Sequence, residues 1–348
     1  MNTTNERCFS MYQTPYNPNF QGYYREGTKK ILRKQLRQDS NRLSFGILAF
    51  VLLATILFST FIITLQILGY PFRGGDLTAG LDEEMYFLLN CLYYLIAGFL
   101  PFGLILYLSN QDPNVVVPTR KVKFSTFISC IFAGSTLCLL ANYPTNYICA
   151  LIETFGLNTA IPESHIPQTI YGIILYYIYV GIIPPLVEEF IFRGVILSRL
   201  QKYGNGFAIF ASSLLFALYH GNIMQLIFAF ICGFVLGFVT IRTKNIFIPI
   251  IIHLINNSIS VTGELLYEYC YENFANMISS AIILSLFALG AISLIYLIIK
   301  RKYFFKHDDD APVCELSLSS KLANLVFNPG FIGLLIFYVS ASVTFLMS

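Results

Sequence analysis

Two adjacent glutamates, Glu188 and Glu189, interrupt an otherwise apolar run that reads Pro184-Pro185-Leu186-Val187-Glu188-Glu189-Phe190-Ile191-Phe192-Arg193. Carboxylates at membrane depth are costly, and where they occur they face a bundle interior or water and carry function. Two of the chain's four histidines, His220 and His253, also sit in apolar stretches. Phe216 precedes His220 by one helical turn, and Asn257 follows His253 by one turn, so each pair shares a helix face. A carboxylate desolvated among apolar helices can take a proton from water near neutral pH, and buried His and Asn donors can stabilise developing negative charge. These residue types therefore suit hydrolysis.

The two glutamates cannot share one task, because successive helical residues point about 100° apart. Glu189 and Arg193 are spaced for a helical ion pair with Glu in the favoured order, which makes Glu189 a supporting residue. Glu188 has no local cation and is the better general base. The prolines are expected to end one helix and begin another, which would put both acids near a first turn where the helix end favours negative charge. Asn256 is expected to point away from the His253–Asn257 face. Each feature also has a plainer explanation. A lone His or the Asn pair can serve as an interhelical hydrogen-bonding group, and the Glu–Arg pair can be purely structural.

The elements that must position these groups are membrane helices. Of 348 residues, 56% are hydrophobic and 12% charged, with mean hydropathy +0.65; a soluble domain carries about 25% charged residues. The expected fold is an all-α, polytopic transmembrane bundle of eight or nine spans. Its first span begins near Leu43 and is retained rather than cleaved, and Asn328-Pro329-Gly330 interrupts the last. The chain divides into a basic tail (1–42), N-terminal helices (43–165), a catalytic core (166–272) and C-terminal helices (273–348). Alternation of the spans puts 21 of the 22 Lys and Arg residues on one side and leaves Arg73 alone on the other. By the positive-inside rule that side is cytoplasmic, with the N-terminus inside. The tail reads as unstructured up to a basic juxtamembrane anchor, and the segment Lys306 to Ser320 as a solvated loop. The partners implied are the lipid bilayer and a peptide or protein, not nucleic acid. The eight cysteines show no metal-type spacing and read as small apolar residues; a disulfide between Cys149 and Cys270 is one option. By helical rise, Glu188, His220 and His253 lie roughly 14 to 21 Å from the basic ends of their spans, so they can meet.

In this order, Glu188-Glu189-x-x-x-Arg193, Phe216-x-x-x-His220 and His253-x-x-x-Asn257 resemble the CPBP family of intramembrane proteases, which includes the type II CAAX prenyl endopeptidases and bacterial Abi proteins. The resemblance covers roughly Ile166 to Glu272. It implies peptide-bond hydrolysis within the membrane, with Glu188 and His220 activating water, His253 and Asn257 binding the oxyanion, and Glu189 and Arg193 in support. Prenylated substrates are the eukaryotic role in that family, and bacterial relatives are linked to peptide processing and bacteriocin self-immunity. The substrate is expected to arrive from the cytoplasmic side or laterally from lipid.

Members of the family are often labelled metalloproteases. Glu188, His220 and His253 could supply three ligands to zinc or another divalent metal, but no HExxH helix is present, and Asn257 suits an oxyanion donor better than a ligand. The favoured reading needs no cofactor. Two other classes stay open: a non-catalytic membrane scaffold or immunity protein, and a proton- or cation-coupled transporter, for which the remaining spans offer few charges.

Overall fold

The computed structural model describes residues 18–69, 78, 80–109, 113–159, 165–300 and 314–347, and the side chains of all of these except 18–26, 345 and 347. Met1 to Asn17 and the three aspartates at 308–310 lie outside the described residues.

The chain is all helical. Its α-helices are α1 (Pro18–Ile67), α2 (Glu83–Ser109), α3 (Pro113–Val116), α4 (Phe124–Leu140), α5 (Asn142–Glu153), α6 (Ile170–Tyr176), α7 (Ile183–Glu189), α8 (Ser198–Leu200), α9 (Asn205–Tyr219), α10 (Ile223–Thr243), α11 (Phe247–Tyr269), α12 (Glu272–Ile299), α13 (Leu318–Val326) and α14 (Pro329–Met347). No strand occurs among the described residues; Thr119 and Asn245 form one isolated bridge. Six helical stretches are long and apolar enough to cross a membrane, or seven if α13 and α14, bent by 69°, count as one. The two other expected spans are α9, which has only 15 residues, and α11, in which His253, Asn256 and Asn257 dilute the apolar run. The protein is a multi-pass membrane protein.

Two expectations about helix limits are corrected. The basic stretch Lys29 to Arg42, expected as an anchor ahead of a first span beginning near Leu43, is continuous with that span in the 50-residue α1. Tertiary contacts hold it there: Leu36, Asp39 and Ser40 are buried, and Ser40 Oγ donates to Leu325 O (2.8 Å) while Asn41 Oδ1 accepts from Gly330 N (2.8 Å). These bonds also clamp the expected bend at Asn328-Pro329-Gly330. The second correction concerns Pro184 and Pro185, which do not break the chain. Helix runs on from Ile170 to Leu200, because π-helical turns at Tyr177–Ile182 and Phe190–Leu197 flank α7. Proline removes an i→i−4 bond, and the wider i→i+5 turn before it carries the backbone past the rings. Glu188 and Glu189 therefore end α7 rather than begin it, and a helix-start field is not what holds them.

Charged residues mark the two ends of the bundle. At the basic end Asp39 binds Arg199, Lys202 and Tyr203, and Arg120 N donates to Lys244 O. At the other end Glu83 accepts from Gln168 N and Thr169 N, and Thr169 caps α6. All seven described cysteines are free, so Cys149 and Cys270 do not pair.

Candidate active site

Each functional side chain is placed by a local device. Gly221, with φ +69°, turns the chain sharply from α9 into α10, so His220 sits at the C-terminal cap of α9 rather than inside a longer helix. There its Nδ1 bonds Phe216 O at 2.8 Å. A carbonyl only accepts, so Nδ1 carries the proton and Nε2 is the free nitrogen. Asn222 caps α10 through Gln225 N.

Behind His253, Arg193 and Glu189 form the expected i,i+4 pair, Nη1 to Oε1 at 2.9 Å, with both side chains buried. The same Glu189 oxygen takes His253 Nδ1 at 2.8 Å. An ionised carboxylate has no proton to give, so Nδ1 of His253 is also the donor, and Nε2 turns toward Glu188, 3.9 Å from its Oε2. Glu189 is thus a hinge between a cation and an imidazole. Phe216 ties the walls together: its ring meets His220 edge-on at 4.8 Å and His253 at 6.0 Å, and the Arg193 guanidinium lies 4.5 Å from its centroid.

Glu188 is held differently. Its Oε1 accepts from Tyr94 OH at 2.5 Å, and that phenol is 2.9 Å from Tyr219 OH. No Lys or Arg pairs with Glu188 among the described residues. Tyr94 belongs to α2, which approaches α7 closely at Gly98, one turn on; a Cβ there would lie 2.3 Å from Val187 Cγ1.

Glu188, Phe216, His220, His253 and Asn257 all line one cavity of about 370 Å³. Arg193 and Glu189 are not in its wall and stand behind it. Asn257 Nδ2 donates to Val180 O at 3.1 Å, which commits one of its two N–H groups and leaves the other for the cavity. Asn256, expected to point away, lines the cavity too, because the wall wraps around the face of α11 rather than touching a single stripe. Ser260 and Glu264 continue that wall toward the end of the bundle opposite the basic residues.

The sequence reading missed Tyr94 and Tyr219. Tyr219 is the neighbour of a motif histidine, yet adjacency predicts divergence on a helix. Tyr94 is one of 23 tyrosines, and nothing in its spacing marks it. A metal needs donors that converge. Two imidazole Nε2 atoms and a carboxylate are suitable donor types, but no three His, Cys, Asp or Glu side chains come close enough to hold an ion among the described residues. The arrangement does not fit a metal as it stands.

Comparison with known proteins follows the geometry. Residues 170–259 match the family described as type II CAAX prenyl endopeptidase Rce1-like. That segment of the chain is similar to the CAAX-protease family. It is 26% identical over 219 residues to the membrane-embedded CAAX protease MroQ of Staphylococcus aureus (strain USA300), across 51% of this chain and 89% of that protein. It is 35% identical over 108 residues to YdiL of Bacillus subtilis (strain 168), which carries the name of an inferred membrane peptidase, across 30% of this chain and 44% of that one. No solved structure matches. The matched CAAX-protease segment holds Glu188 to Asn257 but not Tyr94.

Proposed function

We propose that this protein is an intramembrane endopeptidase in which Glu188 activates the attacking water. One observation carries the reading: three helices bring Glu188, His220, His253 and Asn257 to a single cavity, and Glu188 alone among the buried carboxylates there has no cation. The free Oε2 takes a proton from water as the water oxygen attacks the peptide carbonyl carbon. His220 Nε2, an acceptor in the neutral ring, orients that water. The tetrahedral oxyanion accepts from the second Asn257 N–H, beside His253. The C–N bond then breaks, and the proton on Glu188 passes to the leaving amine. Glu189 and Arg193 fix His253 from behind.

The substrate on this reading is a peptide or membrane-protein segment, the N-terminus is cytoplasmic, and no metal takes part. The test uses purified protein in liposomes with candidate lipoprotein and leader peptides, the wild type beside Glu188→Ala, each with and without a tight chelator. Cleavage by the wild type alone, insensitive to chelator, is expected. Equal cleavage by Glu188→Ala removes Glu188 from the mechanism, and loss of cleavage in chelator with recovery on adding zinc replaces it with a metal mechanism. A scaffold predicts no cleavage in any arm.

A further inference from the structure

We infer that Tyr94, backed by Tyr219, is a positioning residue for Glu188, so that the helices outside the family-matched segment complete the active site. The inference rests on the endopeptidase reading and adds a residue to it.

The geometry is specific. A carboxylate has two oxygens, and only one of them should meet the water. Tyr94 OH occupies Oε1 at 2.5 Å, so Oε2, on the side of His253, is left for proton transfer. A phenol has one proton. Tyr94 spends it on Glu188, and its oxygen can then only accept from Tyr219 OH at 2.9 Å. The bonds therefore run in one direction, Tyr219 to Tyr94 to Glu188. Such chains polarise one another, and a hydrogen bond to a charged acceptor is shorter and stronger than a neutral one.

Both phenols are held in place by packing. Phe50 of α1 meets Tyr94 edge-on at 5.1 Å and stacks on Tyr219 at 5.2 Å and 11°. Gly98 lets α2 lie against α7 at the height of Val187, next to Glu188. Three separate elements, α1, α2 and α9, thus fix the phenol on Oε1 and leave Oε2 for the base function. Replacing either phenol by Phe keeps the ring and its stacking and removes only the hydroxyl.

The experiment has two arms. In the first, Tyr94→Phe, Tyr219→Phe and the double variant are compared on whichever peptide the wild type cleaves. Tyr94→Phe is expected to lower kcat by about tenfold to a hundredfold with little change in KM. Tyr219→Phe should cost about threefold. Because Tyr219 acts only through Tyr94, the double variant should match Tyr94→Phe alone. Wild-type kcat in Tyr94→Phe, or a double variant equal to the product of the singles, overturns the proposal. In the second arm 3-fluorotyrosine replaces Tyr94 in the full chain, and its 19F resonance is followed in Glu188→Gln and Tyr219→Phe backgrounds. Both are expected to move it; an unmoved resonance in Glu188→Gln overturns the proposal. If the wild type cleaves nothing, the endopeptidase reading fails, and the fluorine arm still decides whether Tyr94 holds Glu188.

Discussion

Asp39 and Glu188 are buried to the same degree, 4% and 5% exposed, yet they are held in opposite ways. Asp39 accepts from Arg199 at 2.9 Å, Lys202 at 2.7 Å and Tyr203 OH at 2.8 Å, joining α1 to the end of α8 and the turn that follows it. Every lone-pair direction that matters is taken by a cation or a phenol, and the carboxylate is a lock. Glu188 has one phenol on one oxygen and an imidazole 3.9 Å from the other. Burial alone therefore does not distinguish a structural acid from a reactive one. What distinguishes them is whether fixed cations saturate the group or neutral donors hold it with one oxygen facing a cavity. Glu189 is also structural, since it pairs with the Arg193 cation and stands behind the cavity, although Arg193 and His253 both engage Oε1 and leave the buried Oε2 without a partner.

The comparison can be broken by removing the cation from a structural carboxylate. Arg193→Ala leaves Glu189 buried without its charge partner, and breaking a buried pair from one side costs about 3–5 kcal/mol. The expected outcome is a large fall in the detergent-solubilised melting temperature, read by thermal unfolding. A melting temperature equal to that of the wild type would mean that Glu189 does not need the cation.

A smaller effect is expected from Gly98→Ala, where a Cβ meets Val187 at 2.3 Å. Overpacking of this kind costs about 1–3 kcal/mol and pushes Tyr94 away from Glu188, so cleavage should fall along with stability. Unchanged cleavage in a destabilised variant would separate the α2–α7 contact from the chemistry. The smallest effect sharpens the contrast: Asp39→Asn should cost about 1–2 kcal/mol, because Lys202 is half exposed and its pairing is screened by water, while the cleavage rate stays at the wild-type value. A rate that falls as far as the stability would mean that the basic-end lock also serves the site.

Much of this was legible in the sequence. The i,i+4 spacing of Glu189 and Arg193 gave their bond, the Phe216–His220 spacing gave their ring contact, and apolar run lengths gave a multi-pass bundle with a bend at Asn328-Pro329-Gly330. Local periodicity carries that kind of information. It does not carry the rest. The helix through Lys29 to Arg42 depends on Ser40 and Asn41 meeting residues nearly 290 positions away. The π turns around α7 change which residues face which neighbour, and no composition signal announces an i→i+5 bond in place of an i→i−4 one. Tyr94 reaches Glu188 only because Gly98 lets two helices touch, so the hydroxyl that orients the candidate base could be seen only in three dimensions.

The central claim is that Glu188, not its neighbour and not a metal, takes the proton from water. It is tested most directly by single-turnover cleavage with Glu188→Gln, an isosteric change that keeps a hydrogen-bonding partner for Tyr94, beside Asp39→Asn as the saturated control. The account predicts a rate about 10²- to 10⁴-fold below wild type for Glu188→Gln, with its melting temperature close to that of the wild type and the control cleaving normally. Cleavage by Glu188→Gln at a rate within a few-fold of the wild type would contradict it.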